Sequence, residues 1–153
     1  MAQQTSHHQL DAEQDTLELG AYLAGEIKRR YDGCATVFLE GELGAGKTTL
    51  VRGLLHALGH AGTVKSPTYT LLEPYNMHEH EVFHFDLYRV NDPQELEFVG
   101  FDEIVDGPGL KLFEWAERAE AWLPAPDVRV RIAVNTATQP VSREAEIVFC
   151  GAS

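Results

Sequence analysis

The residues of this 153-residue chain best suited to chemistry begin with an octapeptide, Gly41-Glu42-Leu43-Gly44-Ala45-Gly46-Lys47-Thr48, followed by Thr49. Its spacing is G-x-x-x-x-G-K-[ST], a loop that holds the phosphates of a nucleoside triphosphate. Glycines let the backbone turn tightly and aim successive N–H groups at phosphate oxygens. The helix that follows adds its positive N-terminal end. Lys47 is placed to reach the β- and γ-phosphates, the Thr48 hydroxyl to ligate Mg²⁺, and Thr49 to meet the α-phosphate. A glycine-rich turn that matched by accident would lack the required context of a strand before and a helix after. Both are present: Thr36-Val37-Phe38-Leu39-Glu40 reads as a buried strand, and Leu50, Val51, Leu54, Leu55 and Leu58 recur at helical spacing up to Gly59.

A triphosphate site also needs a carboxylate for the metal, usually acting through a water at the end of a strand. The apolar-rich run Val82-Phe83-His84-Phe85 ends in Asp86, and strand alternation puts His84 and Asp86 on one face. A plain strand-end Asp at the surface is the alternative. Between Lys47 and Asp86 lies Ser66-Pro67-Thr68-Tyr69, directly before the hairpin that Asp86 closes. The order Lys47, Thr68, Asp86 reproduces the layout in which a Thr on a mobile loop senses the γ-phosphate and its metal; a rigid Ser-Pro-Thr turn is the plainer reading. Glu114 ends another short strand, residues 110–114, and is a candidate third acid beside the metal or the attacking water. Trp115 after it either flanks a nucleotide or fills the core, the second being the simpler role. His78, His80 and His84 share one strand face, but without a Cys or a further ligand pattern they read as solvated hairpin histidines.

These residues need a scaffold. Residues 13–31 have the spacing of an amphipathic helix that ends at Gly33, with Lys28, Arg29 and Arg30 complementing its dipole. Residues 69–75 and 82–88 form an expected antiparallel hairpin joined by 76–81. Residues 93–101 read as a short helix with Asp92 as N-cap and Pro93 at its first position. Residues 116–123 are expected to be helical, and 128–134 and 144–149 to be strands. The sum is one α/β domain over residues 1–153, its core about 10–150: a P-loop NTPase-like sandwich whose mixed, mostly parallel sheet is flanked by helices and contains an antiparallel hairpin.

Composition narrows the function. Twelve Lys and Arg against 24 Asp and Glu give a net charge of −12, which disfavours direct nucleic-acid binding, since that affinity comes largely from Lys and Arg neutralising phosphates. No apolar run approaches the roughly 20 residues of a membrane span, and the polar N-terminus lacks a signal-peptide layout. Cys34 and Cys150 are far apart and suggest neither a disulfide framework nor a zinc site. A cytoplasmic setting is expected.

Taken together, the segment 41–49, Ser66-Pro67-Thr68-Tyr69, His84-Phe85-Asp86-Leu87-Tyr88-Arg89, Glu95-Leu96-Glu97-Phe98 and Glu114-Trp115 resemble the bacterial TsaE (YjeE) family, most closely from residue 37 to 115. The resemblance implies a small cytoplasmic ATPase required for N6-threonylcarbamoyladenosine at position 37 of tRNAs that read codons beginning with A. It implies TsaD and TsaB as partners, with tRNA met only through them. It also implies ATP and Mg²⁺ as ligands, Lys47 and Thr48 on phosphate and metal, Asp86 and Glu114 as the acids near the metal, and Thr68 on a switch-like loop. Two other readings stay open. A nucleotide-gated binding module would keep the same residues without useful turnover. A small-molecule kinase is disfavoured because no Arg-rich lid segment is present to cover a transferring phosphate; a GTPase is disfavoured because no NKxD-type sequence is visible.

Overall fold

The computed structural model describes residues 3–42, 44–77 and 80–150, with Phe98 and Val99 as backbone only. Leu43 of the phosphate loop and His78 lie outside the described residues.

The first helix, α1 (Glu13–Tyr31), forms where expected because Leu19, Leu23, Ala24 and Ile27 fall on one stripe and are all buried. The Asp15 carboxylate accepts the backbone N–H groups of Asp11 and Ala12, both at 2.9 Å, which closes the N-terminus. At the other end Asp32 turns left-handed, with φ 54°, and returns its N–H to Lys28. Strand β2 (Thr36–Glu40) leads into the phosphate loop, and α2 (Lys47–Ala57) follows it.

One seven-stranded sheet takes the order β1 (Gln4–Leu10), β7 (Ser142–Phe149), β6 (Val128–Asn135), β2, β5 (Leu110–Glu114), β4 (His80–Asp86), β3 (Leu72–Met77). The four central strands β6, β2, β5 and β4 run parallel, while β7, β1 and β3 pair antiparallel at the flanks. The fold class is as expected from the sequence, with half of the strand pairings parallel and these gathered at the centre.

Alternation divides the core. Val37, Leu39, Leu112 and Val130 pack beneath α1 and α2, whereas Phe38, Phe85, Leu87 and Phe113 join Leu96 and Phe101 on the opposite face. Phe85 and Phe113 stack at 4.8 Å between ring centres, and Phe101 meets Phe85 edge-on at 5.3 Å. Beyond β2 this second face is uncovered and polar: Arg131, Glu144 and Glu146 line a surface depression of about 570 Å³ there.

Helices α1 and α2 meet through glycine. A Cβ on Gly20 would lie 2.2 Å from the Leu50 carbonyl oxygen, and one on Gly53 the same distance from that of Leu17. Neither backbone can yield without moving α2, whose first turn closes the phosphate loop. Gly53→Ala is expected to cost about 1–3 kcal/mol of stability through overpacking. Gly25→Ala, whose Cβ meets nothing within 4 Å on the exposed side of α1, is expected to stabilise by about 0.5–1 kcal/mol through helix propensity. Thermal midpoints of the two variants moving in opposite directions would check the packing.

Four elements depart from the sequence reading. Strand β1 is polar up to Leu10, with Ser6 and His8 half-buried and Leu10 alone fully buried, so it carries no hydrophobic period; it exists because β7 offers an edge to pair with. The hairpin is displaced: residues 67–70 form a turn closed by Leu71 N–H to Pro67 O at 2.8 Å, and the strands start at Leu72 and His80. The expected loop 76–81 is correspondingly shorter, since pairing continues to Met77 with His80. The expected helix 93–101 is a 3-10 helix, Pro93–Val99, broken by Gly100 at φ 68° and followed by α3 (Phe101–Asp106). Its start is as anticipated: the Asp92 side chain accepts from Gln94 N–H at 3.0 Å, and Glu95 reaches back to Asp92 N–H at 2.9 Å.

Candidate functional site

In an open α/β sheet the carboxyl ends of the parallel strands form the natural ligand crevice. Three neighbouring strands end here in the expected residues: β2 in the phosphate loop, β5 in Glu114 and β4 in Asp86. Asp86 and Glu114 are direct register partners, so the two acids stand side by side.

The loop depends on glycine at two points. A Cβ on Gly41 would come within 2.8 Å of the Ile132 carbonyl oxygen, and Gly46, the residue that caps α2, sits at φ 116°. With no side chain to cap α2, the first-turn N–H groups of Lys47, Thr48 and Thr49 have the donor role that an α-helix leaves unfilled. This is a cradle suited to phosphate oxygens. Glu42 is exposed, Ala45 is buried and donates its N–H to Glu42 O at 3.0 Å, and Gly44 sits at φ 81°.

Lys47 is buried at 5% exposure. Its Nζ donates to Gly41 O at 2.7 Å, lies 3.5 Å from Glu114 Oε1 and sits 4.8 Å over the Trp115 ring. The other oxygen, Glu114 Oε2, is 2.6 Å from His84 Nε2. Burial alone pushes the Glu114 carboxyl up. The His84 hydrogen bond and charge, with the Lys47 ammonium, outweigh it and hold Glu114 below the usual carboxylate range. Asp86 is likewise buried and accepts from the Thr68 hydroxyl at 3.2 Å and from Tyr88 N–H at 3.0 Å. Ser66 Oγ lies 2.8 Å from Thr68 Oγ1, so the loop before the hairpin is tied to this acid.

The structure therefore brings Lys47 to Glu114 and Thr68 to Asp86, as two neighbouring pairs. Thr48 and Thr49 are half-buried at the start of α2, and no hydrogen bond joins the Thr48 hydroxyl to either acid. As to a metal, the donors on offer are a hydroxyl and two carboxylates, the oxygen chemistry Mg²⁺ prefers. Among the described residues no group of three or more His, Cys, Asp or Glu side chains could hold an ion without further ligands.

His84 differs from expectation. It is fully buried and bonded to Glu114, because β4 lies inside the sheet between β5 and β3 and only the hairpin end reaches solvent. Trp115 packs partly buried against the aromatic core, the simpler of the two roles weighed for it, and its ring lies under Lys47. Its φ of 58° is a strained backbone for a bulky residue, of the kind found at functional sites.

Sequence reasoning missed Arg143. With Glu13, Thr16, Gly44, Gly46 and Thr49 it lines a cavity of about 160 Å³ beside the loop. Its Nε is buried without a hydrogen-bond partner. It arrives from β7, far along the chain from any motif, and nothing in its local sequence marks it. No helix among the described residues is long and apolar enough to cross a membrane.

Residues 10–145 match the family model described as threonylcarbamoyl adenosine biosynthesis protein TsaE. A Haemophilus influenzae tRNA threonylcarbamoyladenosine biosynthesis protein TsaE is 48% identical over 106 residues, 69% of this chain and 67% of the relative. A Rickettsia conorii protein of the same name is 35% identical over 126 residues, 82% of this chain and 69% of the relative. The crystal structure of Bacillus subtilis YdiB superposes with a TM-score of 0.73 at 27% identity, covering 99% of this chain and 89% of that one. With a family model matched over residues 10–145 and relatives of the same name at up to 48% identity, the chain belongs to the TsaE family.

Proposed function

We propose that this chain binds ATP with Mg²⁺ on the loop 41–48 and hydrolyses it slowly, in support of threonylcarbamoyladenosine formation at position 37 of tRNAs that read codons beginning with A. The observation that carries this is the pairing of Lys47 with Glu114 beside Asp86, at the carboxyl ends of three adjacent strands. The family's name supplies the pathway.

In this reading the N–H groups of the loop and of α2 hold the phosphates, and Lys47 leaves Gly41 O to meet the β- and γ-oxygens. Thr48, Asp86 and Glu114 would hold Mg²⁺, which neutralises charge on the phosphates when bound. Glu114, fixed by His84, orients the attacking water or accepts its proton. Thr68 reports occupancy of the metal site to the exposed Tyr69 next to it, 81% accessible, whose ring lies 4.3 Å from the Arg89 guanidinium. The work is done in the cytoplasm with TsaD and TsaB, which carry the tRNA; the charge of −12 suits a chain that does not hold tRNA itself.

Reconstitution tests the pathway. With TsaD, TsaB, threonylcarbamoyl-AMP and tRNA in excess, this chain and ATP are expected to raise the number of modified tRNAs per complex several-fold. A yield unchanged by the chain would leave an ATP-binding protein with another role. The Thr68–Asp86 hydrogen bond favours a second reading, a module that docks when ATP is bound and needs no turnover. Thr68→Ala separates the two. Loss of partner binding with intrinsic hydrolysis retained favours gating, and loss of hydrolysis with docking intact favours a chemical role.

A further inference from the structure

We infer that His84 is a positioning residue for ATP hydrolysis, fixing the orientation of the Glu114 carboxylate beside Lys47. The inference rests on the proposed reading of Glu114 and deepens it.

Packing does not explain the residue type. His84 is fully buried on an interior strand, flanked on its own face by Val82 and Asp86. An aliphatic side chain would fill such a site without the penalty of burying a polar ring. Its Nδ1 is buried with no hydrogen-bond partner, so the ring makes one strong polar contact, the 2.6 Å bond from Nε2 to Glu114 Oε2. A contact this short to an ionised carboxylate requires the proton on Nε2, with imidazole donating and Glu114 accepting.

The geometry gives that bond a purpose. Glu114 is gripped at both oxygens, by Lys47 at 3.5 Å and by His84 at 2.6 Å. The histidine contact is the closer, and it comes from deeper in the sheet than Asp86. Without it, Glu114 keeps only the lysine as a partner. The carboxylate is then free to turn further onto Lys47 and leave the position that His84 fixes.

The test is single-turnover ATP hydrolysis, with protein in excess, by the full chain and its His84→Leu, His84→Gln, Glu114→Gln and His84→Leu/Glu114→Gln forms, alongside ATP affinity and thermal midpoint. His84→Leu is expected to slow hydrolysis about 10- to 100-fold while ATP affinity changes less than about threefold. His84→Gln, whose amide nitrogen can reach the place of Nε2, is expected to recover most of the rate. The His84→Leu effect should vanish in the Glu114→Gln background. A loss of equal size in both backgrounds, or no recovery by glutamine at an unchanged melting point, overturns the positioning role. If Glu114→Gln alone hydrolyses ATP at the rate of the unaltered chain, the reading of Glu114 fails, and the inference falls with it for that separate reason.

Discussion

Replacing Lys47 with alanine is expected to weaken ATP binding at least about 100-fold. Two charge-assisted contacts to the β- and γ-phosphates, each worth about 1.5–3 kcal/mol, would be lost, and about 2.7 kcal/mol already corresponds to 100-fold. The substitution also removes a buried partner of Glu114. His84 still satisfies that carboxylate, so the fold should survive, which a thermal melt would verify. Isothermal titration with Mg·ATP measures the affinity. Trp115, 4.8 Å from the Lys47 ammonium, offers an independent optical readout. An affinity within threefold of the unaltered chain would mean that this loop does not hold the triphosphate.

Changing Glu114 to glutamine is expected to separate binding from chemistry. Positioned acid or base groups contribute about 10²- to 10⁴-fold, so hydrolysis should fall by at least about 100-fold. Binding should hold or tighten, because a negative charge next to the γ-phosphate is gone and Lys47 is released from it. Single-turnover hydrolysis with a parallel binding titration decides the matter. Retained hydrolysis would reduce Glu114 to a structural partner of Lys47. Lost binding would assign its main effect to holding the metal.

Much of this site could be read from sequence because phosphate chemistry demands residues close together in the chain. Gly41, Gly46 and Lys47 fall within one loop, and the strand and helix around them announce themselves by burial pattern. Asp86 and Glu114 could be found because each ends an apolar run, and a parallel strand places its last residue at the ligand edge. The face shared by His84 and Asp86 also followed from alternation.

What escaped depended on partners distant in sequence. His84 reads as solvent-facing from sequence because three histidines at even spacing have the pattern of one wet hairpin face; only the strand order shows that β4 is interior. Strand β1 carries no apolar period and is defined by β7, some 140 residues away. Arg143 reaches the loop from that same β7. The hairpin register shifted because Pro67 to Leu71 closes a turn that β-propensity alone assigns to strand. The close approach at Gly20 and Gly53 was hidden as well, since a helical glycine shows its reason only when the opposing backbone is in place.

The most direct measurement is steady-state ATP hydrolysis by this chain, alone and with purified TsaD–TsaB, with Lys47→Ala and Glu114→Ala as controls. Feeble activity alone that rises with the pair and disappears in both variants is the expected result. Tight ATP binding with hydrolysis indifferent to the pair would contradict the partner-controlled ATPase, leaving the phosphate loop in place and the proposed role in the pathway without support.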